Sequence, residues 1–229
     1  MTVTAAQLTP SPAPELQAPG TSQRDPSRAG LLALAAGAAL NTAQAVLLRT
    51  VSTGDTPAGQ LADADAHPVL TLVMILTGLA GVVLLLVGLQ SVARLVRPHA
   101  PRTAQVGSVL TFAGTLGFLG MHALMLVTWA LAGMDDRGAA VAVLEHLETA
   151  PVLLVLVAPF LLGMFGGVAV LTAGLLRTRG VPRWVPACWA LFLPLDLFAA
   201  GATPVDPHWL FLAGAVGIAL AGRPAAEKG

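Results

Sequence analysis

The stretch VLTLVMILTGLAGVVLLLVGL, Val69–Leu89, carries no charge, and it is followed by RLVRPH, Arg94–His99. A helix rises about 1.5 Å per residue, so an apolar run of this length crosses the ~30 Å hydrocarbon core of a bilayer. Arg94 and Arg97 mark its end as cytoplasmic, because Lys and Arg resist translocation. Pro98 and Pro101 stop the helix there.

Five further apolar runs lie at Gly30–Leu48, Val106–Ala132, Pro151–Leu176, Trp184–Ala202 and His208–Ala221. Threaded from a cytoplasmic N-terminus, the six runs leave Arg24, Arg28, Arg94, Arg97, Arg102, Arg177, Arg179, Arg183, Arg223 and Lys228 inside. Only Arg49 and Arg137 face out, and of the acids only Glu15, Asp25 and Glu227 stay in. The expected fold is an all-α membrane bundle of six transmembrane helices in the plasma membrane, with both termini cytoplasmic. The expected organisation is a disordered Pro-rich tail over residues 1–28, a six-helix transmembrane domain over 29–222 and a short tail over 223–229. The last run is short, so runs five and six also read as a re-entrant hairpin. The alternation of acidic and basic loops favours six spans.

Composition agrees: 55% hydrophobic and 10% charged residues are far from a soluble domain, where charge is near a quarter. The single cysteine, Cys188, excludes an intramolecular disulfide. No cleavage site of small residues follows the first run, which therefore reads as a retained span. No lipidation motif marks either end.

Between spans, Asp55, Asp63 and Asp65 make the first outer loop acidic. Val141, Leu144 and Leu147 predict a short amphipathic helix over Gly138–Thr149 at the outer interface, before span four. Pro151 is its joint and Pro159 a kink. Gly107, Thr111, Gly114, Gly117 and Gly120 on span three, with Gly163, Gly167 and Gly174 on span four, form close-packing faces. Leucine at Gly163 or Gly167 is expected to cost more than leucine at Gly88. Besides the lipid bilayer, a homodimer or an accessory-subunit role would use such faces.

Ionisable groups at membrane depth are costly and therefore point to function. His122 lies in the outer half of span three, and Asp196 at a similar depth in span five. Asn41 and Gln44 share one face of span one at that level. These four predict a polar pocket in the outer half of the bilayer for transport or sensing, with His122 close to Asp196. His67, His122, His146 and His208 are weaker metal candidates, since imidazole and carboxylate suit Zn, Fe or Cu. Haem needs two deep histidines, and only His122 is deep, so no cofactor is expected. An outer-face metal or haem redox protein and an accessory membrane subunit are the alternatives. Arg177, Arg179, Arg183 and Trp184 sit where anionic lipid heads would meet them. No Walker loop, nucleophile elbow or dinucleotide fingerprint is present, so the motifs assign no enzyme class and leave a membrane enzyme using unpaired groups open; no nucleic-acid partner is expected.

The Pro-rich N-terminal tail, the Ala-Leu-Gly spans and the turn Arg179-Gly180-Val181-Pro182-Arg183-Trp184 carry a resemblance. On these the chain resembles small uncharacterised six-helix integral membrane proteins of GC-rich actinobacteria. The resemblance implies a six-helix fold and assigns no functional residue.

Overall fold

The computed structural model describes residues 28–51, 56–199 and 205–221. The tails expected over 1–28 and 223–229 lie outside these residues, except Arg28, which opens the first helix. Ala202 and the rest of 200–204 also lie outside them. The elements are α1 (Arg28–Val51), α2 (Pro57–Ala66), α3 (Pro68–Val96), α4 (Pro101–Ala132), α5 (Arg137–Thr149), α6 (Pro151–Leu175), α7 (Trp184–Ala199) and α8 (His208–Ala221). No strand occurs among the described residues.

Four helices, α1, α3, α4 and α6, are long and apolar enough to cross a membrane. The other two apolar helices are shorter, with 16 residues in α7 and 14 in α8. At 1.5 Å per residue they reach about 24 and 21 Å, less than a hydrocarbon core of ~30 Å. They run antiparallel. The Trp189 indole N–H donates to the Phe211 carbonyl at 3.0 Å, and a Cβ on Gly217 would meet the Trp184 ring. The end of α8 thus returns to the level at which α7 begins.

Neighbours in the chain are neighbours in space. α1 packs on α3, α3 on α4, α4 on α6, α6 on α7 and α7 on α8, and α8 closes the ring on α1. Leu34, Leu85, Val168, Trp189 and Ile218 fill one continuous core. The outer surface is apolar, with Val83 on α3, Val109 on α4, Leu162 on α6 and Phe198 on α7 all exposed. Exposed apolar surface of this extent suits lipid contact.

The glycine faces are where the helices approach most closely. A Cβ on Gly114 would strike the backbone of Gly163 and Met164, and one on Gly163 would strike Gly114. Gly167 meets the backbone and side chain of Thr111 in the same interface. Gly88 corrects the sequence reading. It is packed just as closely, against the backbone of Leu34 on α1, so it is not a tolerant position.

Two further features complete the fold. The helix expected at Gly138–Thr149 is α5, capped by Asp136, whose carboxylate accepts the Ala139 N–H at 2.9 Å. The stretch read as an acidic loop instead forms α2. Thr56 caps it through the Gly59 N–H at 3.2 Å, and Pro57 begins it. Leu61 and Ala64 bury against Ala132, Ala140 and Leu144, burial that an acid count does not reveal. Pro159, expected as a kink, opens a π-helical stretch through Phe165.

Charge divides the molecule by its ends. Arg28, Arg94, Arg97, Arg102, Arg177, Arg179 and Arg183 lie at one end, and Asp63, Asp65, Asp135, Asp136, Glu145 and Glu148 at the other.

Candidate functional site

At the acidic end, α1, α7 and α8 bring four charged or titratable groups into one chain of contacts. Asp206 sits just before α8 and caps it, its Oδ1 accepting the His208 N–H at 2.9 Å. The same oxygen lies 2.8 Å from His208 Nδ1. Its other oxygen, Oδ2, lies 2.8 Å from the Nε of Arg49 on α1. Burial opposes the charge on Asp206, but the backbone N–H and ring of His208, with Arg49, outweigh it. They hold the carboxyl below the ordinary carboxylate value.

The chain continues inward. His208 Nδ1 also lies 3.5 Å from Oδ1 of Asp196 on α7. Both carboxylates approach one ring nitrogen, so a proton on Nδ1 would be shared between them, with Asp206 the nearer acceptor. The Thr42 hydroxyl of α1 lies 3.2 Å from the His208 carbonyl oxygen, which fixes the first turn of α8 against α1.

Asp196 and His208 line a cavity of about 40 Å³ at the centre of the ring. All six apolar helices contribute: Asn41 from α1, Leu85 from α3, Phe118 from α4, Phe160 from α6, Asp196 from α7 and His208 from α8. That volume exceeds the ~10–15 Å³ one water needs. Its wall is otherwise aromatic and aliphatic, as where Phe192 meets the His208 ring at 5.4 Å. The polar groups thus stand on one side of an apolar chamber.

His122 belongs to a different arrangement. Its Nδ1 donates to the Phe118 carbonyl at 2.9 Å, which directs Nε2 toward Gln44. Gln44 Nε2 lies 2.8 Å from that atom and its Oε1 3.1 Å away. The pair meets where Gly78 of α3 has no side chain. Among the described residues no hydrogen bond or ion pair joins His122 to Asp196, and each makes its own separate contacts. Position along the helix singled out both residues, but only the order of helices around the ring decides partners. Of the four expected pocket residues, Asn41 joins Asp196 at the cavity, and Gln44 joins His122.

His208, read from the sequence only as a weak metal ligand, is the residue that sequence reasoning undervalued. Its signal was the spacing Asp206-x-His208 at a helix start. His67 and His146 are exposed at the acidic end and take no part. Among the described residues, no group of three or more His, Cys, Asp or Glu is arranged to hold a metal ion. Arg177, Arg179, Arg183 and Trp184 are exposed at the basic end. No protein-family model, curated protein or solved structure matches this chain.

Proposed function

We propose that this chain is a six-span membrane protein that binds protons from the outer side and responds to them, a sensor of external pH. His208 is the exchanging group, Asp196 the inner acceptor and Asp206 with Arg49 the outer gate. The carrying observation is the position of His208 Nδ1 between two carboxylates, one bonded to the half-exposed Arg49 and the other lining the central cavity. Histidine as a residue type is suited to proton exchange, and ionisable groups at membrane depth pair with one another.

Sensing is favoured over transport because Leu85, Met164 and Val168 face the cavity from the side toward the basic end and supply no polar continuation. A bound proton then alters the contacts that hold α7 and α8 to α1. This reading keeps six spans, with cytoplasmic termini and with α7 and α8 as the movable pair. Proton flux decides between the two. Proteoliposomes holding a trapped pH dye should keep an imposed pH gradient as long as empty liposomes do. A leak that Asp196→Asn abolishes would make the protein a transporter instead.

A further inference from the structure

The basic end holds a second cavity, of about 590 Å³, between the last turns of α3 and the first turns of α4. Arg94, Arg97 and Arg102 line it together with Gln90, Gln105 and Ser108. Two of the arginines come from the end of α3 and the third from the start of α4. A tight turn joins these helices, with the His99 and Ala100 N–H groups both donating to the Val96 carbonyl at 3.0 and 2.9 Å. The arginine backbones are therefore fixed relative to each other. The small buried residues Ala93 and Ala104 form the floor.

Positive-inside topology explains why arginines occur at this end, but not why three converge on one hollow. The ion pairs among the described residues lie at the opposite end, at Arg49–Asp206, Arg137–Asp65 and His208. None of the described acids reaches this cavity. Gln90 is occupied, donating to the Ser108 carbonyl at 3.0 Å and accepting the Ser108 hydroxyl, so it forms a polar wall. The guanidinium groups are left as the binding elements. Their planar N–H forks match phosphate oxygens two at a time.

We propose that this cavity binds a phosphomonoester or diphosphate group carrying about two negative charges. Two sources present that chemistry at a membrane surface: the phosphomonoester headgroup of phosphatidic acid and a soluble diphosphate. This site is independent of the proton site at the other end.

The test uses the full chain in phosphatidylcholine nanodiscs. One arm adds phosphatidic acid to the bilayer and the other adds inorganic pyrophosphate to the buffer. Thermal stability is followed against ligand concentration. One arm should raise the melting temperature saturably, and the arm that does so identifies the source. R94K/R97K/R102K keeps the charge that orients the chain but loses the forks. It should weaken the apparent affinity at least tenfold. R177K/R179K/R183K, on the neighbouring loop, should change it less than twofold. No shift in either arm overturns the proposal. Equal weakening by both triple variants also overturns it, because binding would then follow the general field of the basic end.

Discussion

The Nε2 atom of His122 lies 2.8 Å from Nε2 of Gln44, across the space that Gly78 leaves open in α3. A buried imidazole and a buried amide thereby satisfy each other and tie α1 to α4 through the helix between them. Buried polar groups left unmade cost more than the bond contributes when made. A methyl group at Gly78 would fall on His122 Nε2 and on the Gln44 amide. Gly78→Ala should therefore lower unfolding stability by about 1–3 kcal/mol, the usual range for overpacking. Denaturant titration in detergent measures this, and a neutral result would mean that the pair does not bridge the helices.

Glycine tolerance should follow contact geometry. Gly88→Leu and Gly163→Leu should both abolish accumulation in the membrane, since each drives a side chain into a neighbouring backbone. At Gly166 the nearest neighbour to an added Cβ is Leu110, 4.0 Å away. Gly166→Ala should be neutral, or stabilising by up to about 1 kcal/mol through helix propensity. Expression and melting of the three variants check this.

Thr71 should behave unlike the other buried threonines. Thr42, Thr111, Thr115, Thr172 and Thr178 each donate to the carbonyl four residues earlier, whereas the Thr71 hydroxyl has no partner among the described residues. Thr71→Val removes an unsatisfied group and should stabilise by about 1 kcal/mol, while Thr111→Val should destabilise by a similar amount. Comparable losses at both positions would mean that Thr71 bonds solvent in the adjoining cavity of about 270 Å³.

Acid should weaken the α1–α8 contact through Asp206. Its carboxyl is held below the ordinary value in the fold, so its contribution is fully present above about pH 4 and is lost as pH falls through the folded value. The share of melting temperature that Asp206 supplies should be lost only below about pH 4. Asp206→Asn should flatten that acid limb and cost about 1–3 kcal/mol at pH 7, less than a fully buried pair because Arg49 is partly exposed. An unchanged acid limb in the variant would contradict this.

Much of this was legible in one dimension. Hydropathy marked the four long helices, charge alternation separated the ends, and Val141, Leu144 and Leu147 located α5. Position along a helix was readable as well, which is how Asn41, Gln44, His122 and Asp196 were singled out. Azimuth was not. His122 faces Gln44 because α3 offers Gly78 at the crossing, and Asp196 faces His208 because α8 closes the ring on α1. Both depend on contacts between distant segments. α2 was missed because its polar letters resemble a loop, and the burial of Leu61 and Ala64 requires α4 and α5 to be in place.

The central claim is that His208, shared between Asp206 and Asp196, turns external pH into a change at the α7–α8 pair. The most direct measurement is hydrogen exchange of peptides covering 190–215 in nanodiscs, stepped between pH 5 and 8 and corrected for intrinsic rates. Wild-type protein should change protection in this segment, and His208→Gln and Asp196→Asn should each remove the change. His146→Gln, at an exposed histidine of the same end, should retain it. A pH response that is absent in the wild type, or identical in all four proteins, would contradict the account.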